Sequence, residues 1–149
     1  MATVIWYGVP VSNFFSTTST DKVNWTGDTI KAALATGSYT PNQDTHDYWN
    51  DVSANELASG SGYTTGGVTL GTKTRTYDTG SNTVRLDAAD SAWTFSASVS
   101  FRYVVIYKDT GVASTSPLLG YADLTATTLS GTYTLQWDGT DGVLKAVVS

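Results

Sequence analysis

Residues 99–108 are apolar on both faces in their middle, at Tyr103, Val104, Val105 and Ile106. A strand apolar on both faces must be covered on both faces, which makes this a central strand of a layered sheet rather than an edge. The flanking sequence reads as partners for it. In 132–138, Tyr133, Leu135 and Trp137 point one way and Thr132, Thr134 and Gln136 the other. In 83–88, Val84, Leu86 and Ala88 share a face opposite Arg85 and Asp87. Ile30, Ala32 and Leu34 alternate inward through 28–36, although that stretch also tolerates a helix. Segments 68–77, 118–124 and 143–148 complete the set, and 138–142, Asp-Gly-Thr-Asp-Gly, reads as the turn of a hairpin joining the last two strands. Pro41 marks a turn, and residues 58–67 form a loop with Gly60, Gly62, Gly66 and Gly67. A short helix is expected over 45–52, capped by Asp44 or Thr45, with Tyr48 and Val52 on one face. Short strands at regular spacing predict an all-β fold: an antiparallel β-sandwich, jelly-roll-like, with one short helix and an N-terminal arm.

At 149 residues the chain reads as a single domain spanning 1–149. It has no cysteine, which removes disulfides, thiolate metal sites and a cysteine nucleophile. Eight basic residues stand against thirteen acidic ones, a net charge of -5, so no nucleic-acid partner is expected and no anionic membrane surface. Charged residues are only 14% of the chain, and Ser and Thr take over the polar role. That balance suits a rigid protein making its contacts through uncharged groups.

Residues 1–20 read as an arm. Val4, Ile5, Trp6 and Tyr7, then Val9, Pro10 and Val11, place apolar groups on both faces, and Phe14 and Phe15 follow before a Ser/Thr tract. Two readings stand side by side. In one, Ile5, Trp6, Tyr7, Phe14 and Phe15 contact a partner subunit; in the other, this is a first strand buried in its own sandwich. The start of the chain has no basic region followed by an apolar core, so no signal peptide is expected, and no apolar run is long enough to span a membrane.

No catalytic, cofactor or metal site is expected. The single histidine, His46, lies among Asp44, Asp47 and Asp51 and reads as a surface residue of the short helix; no Gly-x-Ser-x-Gly elbow accompanies it. The three aspartates could offer oxygens to Ca²⁺, but they equally suit a helix N-terminus. Residues 138–142 lack the remaining ligands of a Ca²⁺ loop. Asp87 and Asp90 form an adjacent pair of a kind common on surfaces, not a glycosidase signature. Gly66-Gly67 is too short to cradle phosphate. Five Trp residues read as core or interface anchors, with stacking on a glycan as the alternative.

Several blocks occur in order: Asp28-Thr29-Ile30-Lys31-Ala32-Ala33-Leu34; Ser38 through Trp49; Ser53-Ala54-Asn55-Glu56; Gly62 through Gly67; Ala88 through Trp93; Val104 through Gly111; and Ser114 through Leu118. Together they resemble a group of small structural proteins of tailed phages and prophages, from about Asp28 to the C-terminus. The resemblance implies a β-sandwich located in the virion. Extrapolated, it implies a decoration (cement) protein on the capsid surface, assembled in the host cytoplasm, with the major capsid protein as partner and a homotrimeric state. A tail, connector or fibre protein, or a glycan-binding module, is the alternative. Residues 1–26 depart from the group's pattern, which implies a partner specific to this phage.

Overall fold

In the computed structural model, residues 3–14 and 21–148 are described. In chain order they form β1 (Ile5–Trp6), α1 (Gly8–Asn13), β2 (Ile30–Ala35), α2 (Asn50–Ser53), β3 (Val68–Thr69), β4 (Thr74–Asp78), β5 (Thr83–Asp87), β6 (Ser91–Lys108), a 3₁₀ turn (Ala113–Thr115), β7 (Leu118–Leu135) and β8 (Leu144–Val147). One antiparallel sheet runs β1-β7-β6-β2-β3 and a second runs β4-β5-β8. The fold is all-β and sandwich-like, as the alternation predicts.

The apolar run at 103–106 lies in β6, at the centre of the larger sheet, and its two faces serve two cores. Val104 and Ile106 pack between the sheets with Ile30, Ala32, Leu34, Phe101, Leu119, Trp137 and Leu144. Tyr103 and Val105 face the opposite side, where Ala33, Ala35, Tyr39, Trp49, Val52 and Leu118 cover them. Val104, Val105 and Ile106 are fully shielded from solvent, and each such burial contributes roughly 1.5–3 kcal/mol. Trp49 seals the second core by stacking on Tyr107, with ring centroids 4.2 Å apart and planes 10° from parallel.

Strands β6 and β7 are each 18 residues long. Their register slips between Phe95 and Val99 and again between Phe101 and Tyr103. Thr125 and Gly131 take positive φ, 60° and 90°. These bulges curl the ribbon, so that Asp123–Thr125 and Tyr133–Gln136 of the same strand face one cleft.

Three local expectations are corrected. The helix over 45–52 is confined to Asn50–Ser53. One Asp51 carboxylate oxygen accepts the Asp47 and Tyr48 amides at 2.9 and 3.4 Å, and Tyr48 pairs with Pro117 in an isolated bridge, so the preceding residues are held extended or in turns. The strand over 68–77 is two strands: Leu70 still donates to Ile30, but Thr72 turns through φ 47° and hands the chain from one sheet to the other. The 138–142 turn closes as expected, with Gly142 N–H donating to the Asp138 carbonyl at 2.7 Å. The strands it joins do not pair with each other: β7 pairs with β6 and β8 with β5.

Candidate docking surfaces

The residues of the N-terminal segment take different places in the fold. Ile5 and Trp6 add a short edge strand opposite Tyr121 and Gly120. Gly120 permits this approach, since a Cβ there would meet Val4 and Leu144 side-chain carbons at 2.6 and 2.9 Å. Tyr7 is wholly buried, which corrects its assignment as a partner contact: it anchors the segment in the chain's own second core. After it comes α1, a helix the sequence reading missed, with Pro10 tolerated in its first turn. Ile5 stays 41% exposed, while Trp6 and Phe14 are half-buried and meet edge to face at 6.5 Å. Phe15, the remaining expected contact, lies outside the described residues.

The polar residues of interest are committed to structure. The Tyr7 hydroxyl bonds that of Tyr39 at 2.5 Å, and Tyr39 bonds Nδ1 of His46 at 3.0 Å. Burial pushes the Tyr39 phenol up to about 12 and Tyr7 higher still. His46 therefore lies outside the helix and is half-buried, closing a part-buried hydrogen-bond chain. Glu56, the only glutamate, accepts from the Tyr63 hydroxyl at 2.7 Å and the Gly66 amide at 2.5 Å. Tyr63 in turn accepts the Leu34 amide at 3.0 Å, so this network ties the glycine-rich loop to β2. Burial raises the Glu56 carboxyl above its usual range. Asp90 accepts the Trp137 amide at 3.0 Å and Asp87 accepts the Ala88 amide at 2.9 Å. Among the described residues no three His, Asp or Glu side chains converge on a metal position. No described helix is long and apolar enough to cross a membrane.

Two surfaces remain. The first is the distal half of the β6–β7 ribbon. Residues 91–101 and 124–136 contain no charged residue and no proline. Their outward positions (Ala92, Thr94, Ser96, Ser100, Thr128, Ser130, Thr132 and Thr134) are exposed, and the hydroxyls pair across the strands, Thr94 with Thr132 at 3.2 Å and Ser100 with Thr128 at 2.7 Å. The charged pair Arg102–Asp123, bidentate at 2.7–3.2 Å, marks where this neutral face stops. Trp93, Phe95 and Leu135 are buried beneath it.

The second is a 470 Å³ cleft lined by Trp6, Phe14, Val23, Trp25, Leu86 and Leu119, with Lys22 and Arg75 at its wall. Of the large apolar side chains described, Tyr77 is the one exposed aromatic. The chain matches no family model, no curated protein and no solved structure.

Proposed function

We propose that this chain is a structural protein of a phage virion, a decoration protein that docks on the outer surface of the capsid and stiffens it. The observation that carries the reading is the neutral Ser/Thr face of the β6–β7 ribbon. Edge and surface strands ordinarily carry charges or proline that repel other chains. Here the charged residues lie elsewhere, and small hydroxyls that both donate and accept are left facing out. Such a face is suited to lie against another protein surface of complementary shape. The ordered block resemblance to phage structural proteins supplies the partner, the major capsid protein, and a trimer at three-fold or quasi-three-fold sites is the arrangement that bridges capsomers. A modest contact suffices, because many copies on one shell act together.

Cryo-EM of intact particles tests this. Hundreds of copies over the shell, at least one per few capsid subunits, are expected. A dozen copies at one vertex or along the tail overturns the decoration role in favour of a connector or fibre. Thr128→Lys with Thr132→Lys is expected to leave the isolated fold intact and to strip the protein from particles.

A further inference from the structure

We propose that the cleft between β1, α1 and β5 receives a partner's peptide segment in which a bulky apolar side chain is flanked by carboxylates. The inference rests on the reading of the chain as an assembly protein, since that reading makes the ligand a polypeptide rather than a small molecule. Its basis is the distribution of the basic residues. Of the eight in the chain, Lys31, Arg85, Arg102, Lys108 and Lys145 stand in ion pairs with Asp109, Asp78, Asp123, Asp28 and Asp141. Lys73 donates to the Asp28 carbonyl. The remaining two, Lys22 and Arg75, have no side-chain hydrogen bond or ion pair among the described residues, and both border this one cleft. The residues outside the described set carry no aspartate or glutamate, and no acidic side chain lines the cleft. A protein of net charge -5 thus places two cations that have no side-chain partner among the described residues beside a 470 Å³ apolar cleft.

The walls are already fixed. Trp6 Nε1 donates to the Lys145 carbonyl at 2.8 Å, and Trp25 Nε1 to the Asp87 carbonyl at 3.0 Å. With both indole N–H groups spent, the rings offer only apolar surface, and recognition of polar groups falls to Lys22 and Arg75. Preorganised aromatic walls lower the ordering cost of binding, and a guanidinium engages a carboxylate through two parallel bonds.

The test is an NMR titration of the full chain, following the five indole N–H signals, with acetyl-Asp-Leu-Phe-Asp-amide as probe. Saturable shifts of Trp6 and Trp25, with Trp49 and Trp137 unmoved, are expected. Lys22→Gln and Arg75→Gln each weaken binding about fivefold, the size of one screened ion pair, and both residues are exposed, so the unmoved indoles report an intact fold. The Asn-Leu-Phe-Asn peptide binds the parent chain no better than the acidic peptide binds the double variant. Absence of shifts at millimolar peptide, or equal affinity for both peptides, overturns the inference. So do shifts that grow with protein concentration alone, which assign the cleft to a second copy. Binding seen only after Phe15→Ser assigns it to the chain's own 15–20 segment and likewise overturns it. Copy number of the double variant on particles keeps the two proposals separable: a failed titration with decoration retained sinks the cleft alone, and a successful titration with no chain on the shell sinks the virion role alone.

Discussion

The hydroxyls of Tyr7 and Tyr39 lie 2.5 Å apart beneath the larger sheet, and among the described residues Tyr39 is the sole hydrogen-bond partner of the Tyr7 hydroxyl. Tyr39 also meets Nδ1 of His46. All three groups are satisfied in one arrangement: Tyr7 donates to Tyr39, and Tyr39 donates to an unprotonated Nδ1. Tyr39→Phe leaves the Tyr7 donor buried and unmatched, and is expected to cost about 1–3 kcal/mol. Tyr7→Phe leaves Tyr39 bonded to His46 and costs less, about 0.5–1.5 kcal/mol. Urea unfolding of the two single variants and the double is expected to show a double-variant loss smaller than the sum, because the pair shares one network.

Glu56 sets a pH dependence opposite to that of an exposed carboxylate. Burial raises its folded pKa above the usual 4.5, against the opposing bonds from Tyr63 and Gly66 and the charge of Lys31. The folded state therefore holds this proton more tightly than the unfolded chain, and its contribution to stability falls as pH rises through the window above 4.5. Glu56→Gln keeps an acceptor oxygen and removes the titration. Denaturation midpoints from pH 4 to 8 are expected to converge on, or drop below, those of the variant as pH rises; parallel curves would refute the assignment.

Asp78 behaves in the ordinary direction. Bonds from Ser81 and Arg85, and from the Gly80 and Ser81 amides, lower its carboxyl to about 2. Its contribution is complete above the usual 3.8 and is lost as pH falls toward 2. Carboxyl chemical shifts are expected to report a midpoint near 2, returning toward 3.8 in Ser81→Ala.

Gly67 sits at φ 70°, where a Cβ would fall 2.0 Å from the Ala32 carbonyl oxygen. Gly67→Ala is expected to lose more than about 1 kcal/mol and to raise hydrogen exchange in β3 and β2. Gly37 has nothing within 4 Å of its Cβ position, and Gly37→Ala is expected to lie within about 0.5 kcal/mol of the parent, as for an ordinary surface site.

The strands with unbroken alternation were legible in the sequence. Ile30–Ala35 and the inward set Leu135 and Trp137 fall where the period-two pattern puts them, and Tyr103–Ile106 is covered on both faces as its composition demands. The lengths of β6 and β7 were not legible. Bulges at 95–99 and positive φ at Thr125 and Gly131 shift the alternation out of phase, so one strand reads as separate pieces. Helix α1, built from Gly, Val and Pro, has weak intrinsic propensity and follows the buried anchor Tyr7, a residue whose fate depends on Tyr39, far along the chain. The cleft left no local signal. Lys22 and Arg75 stand out only once the partners of every other cation are known.

The bond from the Trp6 indole to the Lys145 carbonyl spans 139 positions, and β8 completes the smaller sheet by pairing Thr83 with Val147. During synthesis, neither the β4–β5 hairpin nor the N-terminal strand can gain its last neighbour until the residues around Lys145 have left the ribosome. Such distant closures slow folding and leave strand edges open meanwhile. The two sheets are therefore expected to close together once β8 is available rather than piece by piece, and the interval before β8 docks is when copies are most exposed to pairing with one another incorrectly.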